Sequence, residues 1–165
     1  MRQVSLCLLL KENQDKREIL LAMKKRGFGE GRWNGCGGKI DIEKGDKNVL
    51  DSALRETEEE IGVKIKNPEK VAIIDFHFPE VPKEKGFDQQ VHIFLVRDWE
   101  GEPTESEEMA PKWFGMEEIP FDKMWEDDKH WLPYVLENKK LRGKFVFDKE
   151  DKITEQVIEL VEAVE

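Results

Sequence analysis

The stretch from Lys47 to Gly62 reads Lys-Asn-Val-Leu-Asp-Ser-Ala-Leu-Arg-Glu-Thr-Glu-Glu-Glu-Ile-Gly and predicts an amphipathic helix. Five residues recur at helical spacing and share one face, which we expect to pack on the core: Leu50, Ala53, Leu54, Thr57 and Ile61. Gly62 follows the last of them, a position typical of a residue that ends a helix.

Three glutamates of this helix, Glu56, Glu59 and Glu60, share about 100° of arc next to the apolar face. Like charges at this spacing destabilise a helix by about 0.2–0.5 kcal/mol per pair, and the helix C-terminus disfavours anions. A bound cation would offset both costs, and carboxylate oxygens are ligands that Mg²⁺ and Mn²⁺ prefer. The helix alone is equally compatible with a solvated acidic face.

The segment before the helix is rich in glycine. Six of the fifteen residues from Lys24 to Gly38 are glycine. This density predicts a loop with unusual backbone angles, or one that approaches a ligand closely.

Apolar and alternating runs predict strands on either side of the helix. These runs are Val4–Leu10, Arg17–Met23, Val71–Phe78, Val91–Val96, Trp113–Phe114 and Leu141–Phe147. Asp127 is expected to cap a second helix that continues to Leu136. The tail from Ile153 to Val164 fits a helix better than a strand, and both remain open. The pattern predicts one α/β domain, residues 1–165, built around a mixed sheet.

Composition excludes several classes of protein. The net charge is −10, and no basic stripe suited to a nucleic acid polymer is visible. Cys7 and Cys36 lie in apolar or glycine-rich surroundings, so we expect buried thiols and a reducing, cytoplasmic compartment. The apolar run Val4–Leu10 is too short to span a membrane, and we expect no membrane partner.

Gly38 together with Arg55-Glu-Thr-Glu-Glu-Glu-Ile-Gly-Val63 resembles the sequence box of the Nudix hydrolases. The second half of that box matches, except that Thr57 stands where an aliphatic residue is usual. The first half departs from it, because Lys47 stands where a glutamate is usual and the spacing from Gly38 to Arg55 is three residues longer. We place the extra residues in the loop Asp41–Lys47 and expect Asp46 to serve as a helix cap.

Three further stretches resemble the branch of this family that hydrolyses oxidised purine nucleoside triphosphates. They are Lys24–Lys39, Glu105–Met109 and the segment Ile119–Asp128 with His130–Pro133. The resemblance implies an α/β/α sandwich around a mixed β-sheet. It also implies metal-assisted hydrolysis of a nucleoside triphosphate to a monophosphate and pyrophosphate.

The same resemblance implies roles for individual residues. Mg²⁺ or Mn²⁺ would be held by Glu56, Glu59, Glu60, Glu108 and the carbonyl of Gly37, while Arg55 would orient the glutamates. Glu59, Glu60 or Glu108 would accept the proton of the attacking water. The base would be bound by Asn34, Asp127, Asp128, Trp125, Phe28 and Lys24, with Ser5 behind Asn34. Gln89 stands where that branch has a methionine lining the pocket, and the loop Pro79–Gln90 is longer than in that branch.

The chemistry of these side chains suits the roles, because an amide both donates and accepts and an aromatic face stacks on a base. Trp125 and Phe28 could instead be core contacts, and Asp127 only a cap. Three other functions remain open: hydrolysis of another nucleoside diphosphate derivative, a non-hydrolytic nucleotide-sensing domain, and an acidic interaction module. The intact glutamates and the glycine loop favour an enzyme with a small nucleotide substrate, and we expect this enzyme to be a monomer.

Overall fold

The computed structural model describes residues 1–85 and 87–165. Its strands are β1 (Arg2–Asn13), β2 (Lys16–Lys24), β3 (Trp33–Asn34), β4 (Lys64–Lys66), β5 (Glu69–His77), β6 (Gln89–Val96), β7 (Asp98–Glu100), β8 (Met109–Gly115), β9 (Lys140–Phe147) and β10 (Ile153–Val161). Its helices are α1 (Val49–Ile61) and α2 (Asp128–Leu136). No helix among these residues is long and apolar enough to cross a membrane.

The main sheet is mixed. Its strands lie in the order β10-β9-β5-β6-β1-β2, and both β3 and β8 pair with β2. β1 runs parallel to β6, and β5 runs parallel to β9, whereas the other pairs are antiparallel. β4 and β7 form a separate antiparallel pair.

Alternation along β1 separates two apolar clusters on the faces of the sheet. Leu8 and Leu10 belong to the cluster that contains Trp131, Leu132 and other residues of α2. Cys7 and Leu9 belong to the cluster that contains Ala53 and Ile61 of α1. Successive strand residues point to opposite faces, so the two helices lie on opposite sides of the sheet. This is the α/β/α sandwich that the sequence predicted.

Most predicted elements are confirmed, but the tail is not a helix. Ile153–Val161 forms β10, which pairs antiparallel with β9 along its length. The expected strand Trp113–Phe114 is the centre of the longer β8. Cys7 and Cys36 are buried free thiols, as expected. The loop predicted from Pro79 to Gln90 ends where β6 begins at Gln89, and its Gly86 lies outside the described residues.

Two expectations for α1 are wrong. Leu50 and Leu54 are 39% and 38% exposed, whereas Glu60 is only 3% exposed. The helix is turned so that Glu60 faces the glycine loop, where it accepts a hydrogen bond from the Gly37 N–H. The N-cap is Asn48, whose side chain accepts a hydrogen bond from Asp51 N, and so Asp46 does not cap the helix. Gly62 ends the helix with a positive φ of 75°, a conformation that glycine adopts without strain.

Candidate active site

The glycine loop is held along β1 by backbone hydrogen bonds. Cys7 and Cys36 exchange two such bonds, and Ser5 N donates to the Gly38 carbonyl at 2.9 Å. The approach is so close at Gly37 that a Cβ would overlap the Ser5 carbonyl. At Gly38 a Cβ would lie 2.6 Å from the Glu56 carboxyl carbon. Glycine is required at Gly37, where the obstacle is backbone, whereas a side chain at Gly38 would displace the Glu56 carboxylate.

Two adjoining cavities open beside this loop. The aromatic cavity has a volume of about 260 Å³, and its walls include Phe28, Asn34, Trp125, Asp127 and Asp128. The carboxylate cavity has a volume of about 350 Å³, and its walls include Gly37, Glu56, Glu60 and Glu108. Lys24 and Lys39 line both cavities, which places two cations where the cavities meet.

The rings of the aromatic cavity contact one another. The centroids of Phe28 and Trp125 are 5.1 Å apart with planes tilted by 43°, and Phe87 lies 4.4 Å from Phe28. A base between two rings needs about 7 Å, twice a carbon–carbon contact of about 3.5 Å. The pair as it stands is therefore too close to sandwich a purine. Gly27 and Gly29 flank Phe28 with φ of 84° and 88°, a backbone conformation that glycine adopts without strain.

Arg32 lies over the indole of Trp125, with its guanidinium carbon 4.0 Å from the ring centroid. Asp151, in the turn between β9 and β10, holds that guanidinium at 3.0 Å. The same turn binds the Trp125 segment through Glu126, which accepts a hydrogen bond from Ile153 N at 3.2 Å. The C-terminal hairpin thus fixes Trp125 through Glu126 and through Arg32, which itself lines the aromatic cavity.

Asp127 and Asp128 are both 3% exposed. Burial raises the pKa of Asp127 to about 6, and burial with the charge of Asp127 raises the pKa of Asp128 well above its ordinary value. Asp127 is the N-cap residue of α2, as expected, but among the described residues its side chain makes no cap hydrogen bond to the helix backbone. Its carboxylate instead accepts the indole N–H of Trp131 at 2.7 Å. One carboxyl oxygen of Asp128, Oδ2, is buried without a hydrogen-bond partner among the described residues.

Asn34 turns its amide nitrogen away from the backbone. Its Oδ1 accepts a hydrogen bond from Gly35 N at 2.8 Å, which leaves the NH₂ group as a donor. Ser5 was expected behind this asparagine, but its hydroxyl bonds elsewhere. It donates to the Gly38 carbonyl at 3.2 Å and accepts from the Ser52 hydroxyl at 2.9 Å, linking β1, the glycine loop and α1.

Carboxylates crowd the second cavity. Burial raises the pKa of Glu60 to about 8, and the charges of Glu56 and Glu108 contribute to the rise. Burial also raises the pKa of Glu56. Glu59 does not line this cavity and is 45% exposed at its side chain. The structure therefore brings together Glu56, Glu60, Glu108 and Gly37, and leaves Glu59 at the rim.

Arg55 binds the acidic residues around it. Its Nη1 lies 3.2 Å from both Glu56 Oε1 and Glu59 Oε2. Its Nε and Nη2 bind the carboxylate of Asp46 at 3.0 and 2.8 Å. This contact holds the pKa of Asp46 below its usual value. Asp46, expected to be a cap, instead orients the arginine that orients the glutamates.

The donor set of the carboxylate cavity fits a hard divalent cation. Glu60 has one hydrogen-bond donor, Gly37 N, although it is buried beside other acids. Buried, crowded carboxylates of this kind are stabilised by a cation, and oxygen ligands suit Mg²⁺ or Mn²⁺. As the side chains stand, residues 1–85 and 87–165 contain no three acidic, histidine or cysteine groups close enough to ligate one ion.

The sequence interpretation missed cationic and aromatic residues of the cavity wall, among them Arg2, Arg32, Lys39 and Phe78, and it missed Phe87, which contacts Phe28 and Phe78. Phe78 ends a strand pattern and was assigned to the core, while Phe87 lies in the long loop before β6. Only the enrichment of aromatic residues around that loop could have indicated their role.

An acidic helix packs on a glycine loop beside an aromatic cavity. This arrangement suits an enzyme that binds the base of a nucleotide in one cavity and reacts at its phosphates in the other. The NUDIX domain profile matches residues 1–135, and the chain belongs to the Nudix hydrolase family. Nudix hydrolases act on small nucleotide substrates and generally use divalent metal ions.

Curated relatives and a solved structure resemble most of the chain. An oxidized purine nucleoside triphosphate hydrolase of Mus musculus is 44% identical over 83% of this chain and 83% of its own length. A protein of the same description from Danio rerio is 42% identical over 87% of this chain and 88% of its own. The crystal structure of a MutT protein from Bacillus halodurans superposes with a TM-score of 0.78 at 25% identity, covering 96% and 98% of the two chains.

Proposed function

We propose that this chain hydrolyses oxidised purine nucleoside triphosphates, such as 8-oxo-dGTP, to nucleoside monophosphate and pyrophosphate with Mg²⁺ or Mn²⁺, and so cleans the nucleotide pool. One observation carries the proposal: an aromatic cavity with buried acids adjoins a carboxylate cavity, and two cationic side chains line both. The relatives from Mus musculus and Danio rerio, named for this activity, support the choice of substrate.

Base recognition is assigned to the aromatic cavity. The NH₂ group of Asn34 donates to an acceptor of the base edge. Asp127 and Asp128 supply an acceptor and, because their pKa values are raised, a proton that serves as a donor. Trp125 offers a rigid stacking face, and Phe28 closes on the other side of the base once the loop moves. Ser5 and Gln89 shape the cavity walls.

Phosphate chemistry is assigned to the carboxylate cavity. Glu56, Glu59, Glu60, Glu108 and the carbonyl of Gly37 would hold the divalent ion, with Glu59 turned in from the rim. When bound, the ion supplies charge neutralisation for the phosphate oxygens and polarises a water molecule. Lys24 and Lys39 neutralise the triphosphate from the side where the cavities meet. One of Glu59, Glu60 and Glu108 accepts the proton of the attacking water.

Arg55 does not line either cavity and so acts as a positioning residue. Its contacts to Glu56 and Glu59 hold both side chains on the side of the glycine loop. We also propose that the protein works as a cytoplasmic monomer without nucleic acid or membrane partners. Size-exclusion chromatography with light scattering tests the monomer.

A substrate panel with product analysis tests the function. The panel contains 8-oxo-dGTP, dGTP, ADP-ribose and a nucleoside diphosphate sugar, each with Mg²⁺ and with chelator. The proposal expects 8-oxo-dGMP and pyrophosphate as products, formed only with metal. Preferential cleavage of ADP-ribose or the sugar nucleotide would assign the chain to another Nudix substrate class. Binding without any turnover would assign it to the sensing class.

A further inference from the structure

Arg2 is a cation on the wall of the aromatic cavity. It is the register partner of Gln89 at the ends of the parallel strands β1 and β6. Its Nη2 lies 3.5 Å from the side-chain oxygen of Gln89. Because that oxygen accepts from Arg2, the amide NH₂ of Gln89 remains a donor, and the pair offers the cavity N–H groups only.

The guanidinium of Arg2 has no carboxylate partner. No acidic oxygen of residues 1–85 and 87–165 lies within 4.0 Å of it in an ion pair, and its Nε is buried without a hydrogen-bond partner. Buried polar groups of folded proteins are nearly always hydrogen-bonded. Asp128 Oδ2, in a residue of the same cavity wall, also has no partner. Two such atoms around one cavity indicate a ligand that brings both acceptors and donors.

The position of Arg2 indicates a base and not a phosphate. Lys24 and Lys39 line both cavities, whereas Arg2 lines only the aromatic one. A guanidinium N–H is a donor that matches a carbonyl oxygen on the edge of a purine. Oxidation of a purine at C8 or C2 adds a carbonyl oxygen, which is an additional acceptor that the unmodified base lacks.

We propose that Arg2, held by Gln89, donates a hydrogen bond to the carbonyl oxygen that oxidation adds to the base, and so selects oxidised over unmodified purine nucleotides. This inference rests on the proposed function and deepens it. A site built around a donor discriminates against a base that lacks the matching acceptor, because the donor is then left unpaired.

The test is calorimetric binding of 8-oxo-dGMP and of dGMP without metal, so that neither turnover nor metal binding enters the result. Arg2→Ala should raise the Kd of 8-oxo-dGMP by at least about tenfold and that of dGMP by less than about threefold. Arg2→Lys keeps the charge but loses the planar guanidinium, and its Kd for 8-oxo-dGMP should lie between those of the wild type and Arg2→Ala. Arg142→Ala is the matched control, because Arg142 is an exposed arginine on β9 that lines neither cavity.

Each outcome separates the inference from the proposed function. Equal affinity of the wild-type protein for the two monophosphates would overturn the proposed function. Discrimination that survives Arg2→Ala unchanged would overturn the inference alone, as would an equal loss for both ligands. Melting curves identify a variant that does not fold, and in that event Arg2→Lys decides the question by the same criteria.

Discussion

Replacement of Asp46 by alanine should destabilise the protein and disturb the glutamates of α1. The carboxylate of Asp46 binds Arg55 through two nitrogens and also accepts the Asp41 N–H at 2.8 Å. Arg55 in turn binds Glu56 and Glu59. Removing Asp46 therefore leaves a covered guanidinium without its main partner, and this guanidinium can then draw the glutamates away from the cavity.

The magnitude follows from the burial of the pair. Removing one partner of a buried ion pair costs about 3–5 kcal/mol. The Asp46 and Arg55 side chains are 3% and 15% exposed, but they lie in a surface loop and on a helix face, so we expect the lower end, about 3 kcal/mol. In a chain of this size, each kcal/mol lowers the Tm by about 2–4 °C, which gives a decrease of about 6–12 °C.

Thermal unfolding of Asp46→Ala, Arg55→Ala and the double variant measures this coupling. Glu43→Ala is the control, because Glu43 is an exposed acid of the same loop, and its Tm should stay within about 2 °C of wild type. Arg55 holds the pKa of Asp46 below its ordinary 3.8. The stabilisation should therefore be full above about pH 4 and be lost as the pH falls further. If Asp46→Ala had the same Tm as Glu43→Ala, the ion pair between Asp46 and Arg55 would not stabilise the protein.

Three further predictions concern the two cavities. Glu56→Gln and Glu60→Gln should each lower kcat by at least about 100-fold in steady-state assays, whereas Glu58→Gln, which points away on the same helix, should stay within about twofold. Mg²⁺ should raise the Tm of the wild type and raise that of Glu56→Gln less, because the folded carboxylate cavity binds the ion; equal shifts would place the ion elsewhere. Burial raises the pKa of Asp127 to about 6 and raises that of Asp128 above its ordinary 3.8. The folded protein therefore binds protons at this pair more tightly than the unfolded chain does. The resulting stabilisation is complete below about pH 4 and is lost as the pH rises through about 6. Asp128→Asn should therefore gain Tm over wild type from pH 4 to pH 7, and a constant difference across that range would refute the assignment.

Local sequence patterns correctly predicted those parts of the fold that depend on interactions between residues close in sequence. Strand alternation and the final glycine of α1 were confirmed, since Gly62 adopts the positive φ that ends the helix. Helical spacing also exists in the tail, at Ile153, Val157, Ile158 and Val161, but the tail forms β10 because β9 pairs with it. That pairing is a tertiary interaction, and it overrides a weak local preference.

In the site, too, the features set by neighbouring residues could be predicted, and those set by tertiary contacts could not. The acidic helix follows the glycine loop within about ten residues, and their proximity could be predicted from a motif. Arg2 and Gln89 are separated by 87 positions, and only the parallel pairing of β1 with β6 brings them together. The role of Asp46 was also missed, because a cap and an ion-pair partner have the same residue preference and differ only in where the carboxylate points.

The most direct test of the proposed function is kcat/KM for 8-oxo-dGTP, 2-hydroxy-dATP and dGTP, measured with Mg²⁺ under identical conditions. We expect kcat/KM of at least one oxidised nucleotide to exceed that of dGTP by about tenfold or more, since its added carbonyl meets donors in the aromatic cavity. Equal kcat/KM for all three, or a preference for dGTP, would contradict the assignment of this enzyme to oxidised purine nucleotides.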